Sequence, residues 1–286
     1  MMGIMQQHEP QHRPSRKDKK AVQVRRAIGL LAVLCVIMAG IGYAYFYLQA
    51  NVRPIDSATF CPRDEKGPHS ITAILIDLTD PFNITQQAAL KDRLNDLKDR
   101  ASQYDLLEIY SVEPTQTQLL KPKFSMCNPG RGEETNSWIG NPRLIEERWQ
   151  KLFDAPLQNL FNSIAAGNTA AVSPIMESIQ SIVVTKLGAQ KAVEEKIPRR
   201  LIIISDLLQY VKDYSQYKHL GSFAQFRDTP YYQNVRSDLS GIDVEIWYVR
   251  RQNTLALQGE KHIDFWRDYL ADQGGHVDKV WYVPGT

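Results

Sequence analysis

The chain reads as an α/β protein in which a doubly wound, three-layer, mostly parallel sheet follows a single transmembrane helix. Three observations predict this. Near-continuous apolar runs, Ile71–Ile76 and Leu201–Ile204, alternate with amphipathic stretches, as parallel strands covered on both faces require. Each run leads into an aspartate, Asp77 or Asp206, where a strand would leave the sheet at its ligand-facing carboxyl edge. From Ala27 to Tyr47 no residue is charged, a length that spans a hydrocarbon core of about 30 Å.

The amino-terminal part divides by charge. Residues 1–26 form a basic tail with seven Lys or Arg against Glu9 and Asp18, which leaves the rest at net −3 in a chain of net +2. Residues 27–48 are the membrane helix, closed by Tyr43, Tyr45, Phe46 and Tyr47, aromatics that suit a membrane interface. A secretory signal has a similar order, but its apolar region is shorter, and Leu48-Gln49-Ala50 is a poor cleavage site. Positive charge on the amino-terminal side keeps that end cytoplasmic. The expected location is a bacterial inner membrane, with a linker at 49–67 and a domain at 68–286 in the periplasm or outside the cell. Cys61 and Cys127 then lie in an oxidising compartment as a single pair, and a disulfide between them is expected. Cys35 belongs to the membrane helix.

Within the outer domain, Ile71–Ile76 is the first strand. Asp80 and Pro81 offer an N-cap and first turn for a helix through Ala88, Leu90, Leu94 and Leu97. Leu106–Val112 is the second strand, followed by a loop rich in Pro and Gly over 113–142. A helix over 144–165 is interrupted at Pro156, and another opens at Ser173-Pro174 with the serine as cap. Arg200–Ser205 is a central strand. Val244–Val249, a helix near His262–Ala271 and Val280–Val283 complete the alternation.

Composition narrows the function. With 43% apolar and 23% charged residues the chain has material for a substantial core. The slightly acidic outer domain has no basic footprint for nucleic acid, and the tail cations are explained by topology and anionic lipid headgroups. No GxSxG, P-loop, GxGxxG, CxxC or HExxH is present. A phosphatase of the haloacid-dehalogenase type needs an Asp two residues after Asp77, where this chain has Thr79.

The order strand, Asp77-Leu78-Thr79-Asp80-Pro81, long connection, Ser173-Pro174, strand and Asp206 resembles the von Willebrand factor A domain with its metal-ion-dependent adhesion site. The resemblance spans about residues 68–286. It implies that Asp77, Thr79, Ser173 and Asp206 hold Mg²⁺ or Mn²⁺, directly or through water, with a coordination position left for a protein partner. Pro81 stands where that family has a second serine, and Leu207 where it has a small glycine. The same residues also fit a structural role, with the aspartates accepting backbone N–H bonds and Thr79, Asp80 and Ser173 capping helices. Asp80, Tyr210, Tyr214 and Tyr217 are candidate partner contacts, although the aromatics of 209–240 also suit packing of their own insertion. Three functions remain: a membrane-anchored module that binds an unidentified protein of an envelope complex, a metal-independent structural subunit, and a metal-dependent phosphoester hydrolase.

Overall fold

The computed structural model describes residues 16–50, 53–114, 119–134, 141–164, 170–218 and 221–285. Most of the expected basic tail and parts of the linker and of the loops at 113–142 and 209–240 lie outside them. The chain divides into two units, residues 1–53 and 54–286. In the first, helix α1 (Arg16–Ala50) contains the segment Gln23–Tyr47, long and apolar enough to cross a membrane. Its apolar side chains, Leu30, Val36 and Phe46 among them, are exposed all round, which a soluble helix with one buried stripe would not show.

The second unit is a six-stranded sheet in the order β3-β2-β1-β4-β5-β6. Its strands are β1 (Ile71–Ile76), β2 (Leu106–Ser111), β3 (Phe124–Cys127), β4 (Arg199–Ser205), β5 (Ile242–Tyr248) and β6 (His276–Tyr282). All neighbours are parallel except β2 and β3. After β1 the chain builds outward through β2 and β3, then returns to place β4 on the other side of β1. The order therefore reverses between β1 and β4, the point where open α/β sheets form a crevice at their carboxyl ends.

Strand residues alternate between two apolar clusters. Ala73, Leu75, Leu201, Ile203, Val244 and Ile246 pack with α5 (Ile175–Ile182) and α9 (Glu260–Asp272). Ile74, Ile76, Ile202, Ile204 and Trp247 pack with α2 (Ile84–Asp99), α3 (Pro142–Trp149) and α4 (Ala155–Ile164). Three short helices, α6 (Gln190–Glu194), α7 (Phe223–Arg227) and α8 (Pro230–Val235), fill connections.

Several boundaries differ from those expected. Helix α2 starts three residues after Pro81, because Asn83 and Gln86 form a reciprocal capping box: Asn83 Oδ1 accepts from Gln86 N at 3.0 Å, and Gln86 Oε1 from Asn83 N at 3.1 Å. Ser173 does not cap α5. Its hydroxyl is used elsewhere, and Gln209 Oε1 accepts from Met176 N at 3.0 Å instead. Pro156 does not break its helix. One π turn, Gln150–Asp154, joins α3 to α4 just before the proline, which stands in the first turn of α4, where its missing N–H costs little.

Strand β3 was expected to be loop. Four residues give too short a pattern to read, and the tertiary tie that holds them is the Cys61–Cys127 disulfide, reinforced by Cys127 N donating to Thr59 O at 2.8 Å. The disulfide fits folding in an oxidising compartment. It closes a loop of 66 residues, worth about 4 kcal/mol in the chain-entropy account. Reduction, or the double substitution Cys61→Ser/Cys127→Ser, is expected to lower the thermal midpoint of the full chain in detergent; equal midpoints for oxidised and reduced protein would refute this.

Candidate metal centre at the sheet reversal

Strand β1 delivers Asp77 and β4 delivers Ser205 and Asp206 side by side, because Asp77 N continues the ladder to Ile204 O at 2.8 Å. The sequence-expected residues Asp77, Thr79, Ser173 and Asp206 are all buried here. Asp77 Oδ1 accepts from Thr79 N at 3.0 Å and from Thr79 Oγ1 at 2.6 Å. Asp77 Oδ2 accepts from Ser205 Oγ at 2.8 Å and Ser173 Oγ at 3.1 Å. Four donors use the acceptor capacity of one carboxylate. Asp206 Oδ1 accepts from Leu208 N at 3.0 Å, closing its own turn.

The cation beside these carboxylates is Arg251, in the loop that follows β5. Its Nε donates to Asp206 Oδ2 at 3.0 Å, Nη1 to Pro81 O at 2.7 Å and Nη2 to Asp80 O at 3.2 Å. The side chain is 13% exposed. Gln258 fixes its backbone, accepting from Arg251 N at 2.7 Å while donating to Val249 O at 2.9 Å and Asp206 O at 3.2 Å. Burial and the charge of Asp77 push the Asp206 carboxyl up to about 7 in spite of the opposing Arg251. The neutralising contact is geometric and direct, yet desolvation of a wholly buried carboxylate outweighs it.

Leu207 has a left-handed backbone, with φ of 61°, a conformation that favours glycine. Its side chain does not crowd the loop; it packs into the α5–α9 cluster. Its carbonyl is held by Trp266 Nε1 at 2.8 Å and His262 Nε2 at 3.2 Å. A carbonyl cannot donate, so His262 carries its proton on Nε2 and accepts from Tyr248 Oη, 2.7 Å away, on Nδ1. Burial lowers the His262 pKa to about 4.

The aromatics of the insertion separate into two groups. Tyr214 turns inward, its ring centroid 4.6 Å from Phe226 and 5.4 Å from Tyr231, and is partly buried against α7 and α8. Tyr210 and Tyr217 stand at 39% and 41% exposure with rings 5.6 Å apart edge to face. Burial and the nearby charges of Asp206, Asp80 and Asp77 raise the Tyr217 phenol above its ordinary value. Asp80 is half exposed, its Oδ2 4.0 Å from Arg251 Nε. The backbone of Tyr210 pairs with that of Ser173 in both directions, which ties this rim to the buried network.

As arranged, the expected ligands do not fit a divalent cation. Asp77 is saturated by hydroxyl and amide donors, Asp206 faces a guanidinium, and residue 81 contributes a carbonyl already engaged by Arg251. Among the described residues no group of three His, Cys, Asp or Glu is placed to hold a metal. Sequence reasoning missed Arg251, Gln258 and His262 as parts of this centre. Arg251 was the most accessible of them, since it lies two residues beyond an expected strand at the same sheet edge. No protein-family model matches the chain, and no curated protein matches it.

Two outcomes are expected. Because the folded-state pKa of His262 lies below its unfolded value of 6.5, its contribution to stability is complete above about pH 6.5 and is lost as pH falls towards about 4, by up to about 3 kcal/mol. The stability advantage of wild type over His262→Gln should shrink, and can reverse, as pH falls through that window; parallel profiles would contradict it. Leu207→Gly relieves backbone strain of about 1–2 kcal/mol but removes a buried leucine worth about 3–5, so equilibrium unfolding should show a net loss of about 2 kcal/mol.

Proposed function

We propose that the protein is a membrane-anchored, extracytoplasmic binding module that presents the carboxyl edge of its sheet to another protein of an envelope complex. On this reading α1 is an uncleaved anchor with its basic end in the cytoplasm, and the outer unit is a doubly wound, three-layer domain of the adhesion type. The apolar helix, the basic tail and the disulfide support the setting.

The observation that carries the binding role is the contrast between a closed floor and an open rim. Beneath, Asp77, Thr79, Ser173, Ser205, Asp206 and Arg251 satisfy one another in a closed, buried network. Above, Asp80, Tyr210 and Tyr217 remain exposed at the sheet reversal on backbone held by that floor. Rigid aromatics beside an acid suit a partner that offers cationic and apolar groups, through cation–π contact and charge complementarity. Contact is then made by side chains, without a bridging metal. The closed floor also favours the second reading, a structural subunit of a membrane assembly, in which the rim contacts no partner.

A photoreactive phenylalanine derivative placed at residue 217 in the full chain, in its native membrane, distinguishes these readings. Crosslinks to one defined protein from position 217, absent from position 144 on α3 and reduced by Asp80→Ala, are expected for the binding module. Equal crosslinking from both positions would leave only the structural subunit.

A further inference from the structure

We propose that Arg251 is a built-in cation that replaces a divalent ion at the sheet reversal and makes this centre independent of metal. A bound ion would have to do two things here: offset the paired carboxylates of Asp77 and Asp206, and tie the loop after β1 to the loop after β4. The guanidinium pairs with Asp206, opposing its charge without cancelling the effect of burial, and it spans the two loops. Its Nε holds the Asp206 carboxylate, and its two Nη groups hold the carbonyls of Asp80 and Pro81, so one planar group joins the loops.

The substitution of ligand types at residue 81 agrees with this. A proline supplies no side-chain oxygen to an ion, but its carbonyl remains available, and it accepts from Nη1 at 2.7 Å. Three of the five N–H donors of Arg251 are used, and Gln258 fixes the arginine backbone by accepting from its N–H. Phe82 packs under the guanidinium, 5.5 Å from the ring centroid, giving the cation an apolar floor. A divalent ion entering beside a buried guanidinium would meet like charge at short range, where the low local dielectric strengthens repulsion. The role follows from contacts within the chain and does not depend on whether the rim binds a partner.

The test uses the full chain in detergent, with Mn²⁺ followed by paramagnetic resonance and Mg²⁺ or EDTA by thermal midpoint. Wild type should bind Mn²⁺ no better than an Asp77→Ala/Asp206→Asn control, and its midpoint should be the same in EDTA and in millimolar Mg²⁺. Arg251→Ala opens the charge vacancy: its midpoint should fall, rise again with Mg²⁺ or Mn²⁺, and its Mn²⁺ affinity should exceed wild type by about tenfold or more. Adding Asp206→Asn should abolish that rescue. Should Arg251→Ala fail to fold, Arg251→Gln carries the same comparison with more of the side chain retained. Saturable Mn²⁺ binding by wild type that Asp77→Ala abolishes would overturn the proposal, as would arginine variants that gain no affinity for the ion.

Discussion

The carboxylate of Asp77 is the constraint around which the domain is arranged. A buried charge left without partners is among the costliest features a fold can contain. Its four donors come from three separate regions: its own turn at Thr79, the entrance to α5 at Ser173 and the end of β4 at Ser205. The sheet reversal brings those regions together, and the carboxylate in turn fixes their positions. Asp206 extends the network through Arg251 to the carbonyls of residues 80 and 81. The carboxyl edge is consequently closed over its own charges, and the groups left facing outward rest on a floor that has little freedom to rearrange.

How much of this was legible in the sequence depended on the range of the interaction. The central strands were readable because Ile71–Ile76 and Leu201–Ile204 are apolar at nearly every position, a pattern that only strands buried on both faces sustain. Asp77 and Asp206 were readable because they terminate those runs. The start of α2 was misplaced because two cap signals compete within six residues, and the box of Asn83 with Gln86 satisfies two backbone groups where Asp80 would satisfy one. Strand β3 depended on a pairing and a disulfide that local pattern does not encode. The resemblance to adhesion domains drew attention to Asp77, Thr79, Ser173 and Asp206 but carried no information about Arg251, whose side-chain hydrogen-bond partners lie 45 to 171 residues away.

The insertion after β4 shows the same division between local and tertiary control. By composition, Tyr210, Tyr214 and Tyr217 are equivalent. Their fates differ because Tyr214 meets Phe226 and Tyr231 on the short helices, whereas the backbone of Tyr210 pairs with Ser173 at the sheet edge. Gln209 joins the two parts: its amide serves the first turn of α5 on one side and Glu177 and Tyr231 on the other.

The sequence distances within the Asp77 cluster govern the order in which the domain assembles. Ser173 and Ser205 are 96 and 128 residues from Asp77, and Arg251 is 170 from Pro81. Loops of that length must close before their contacts give any return, so β1, β2 and α2 can associate while Asp77 still lacks half of its hydrogen bonds. During synthesis the carboxylate remains hydrated until β4 has emerged, and the guanidinium arrives after β5. The carboxyl edge is therefore among the last parts of the domain to reach its final form.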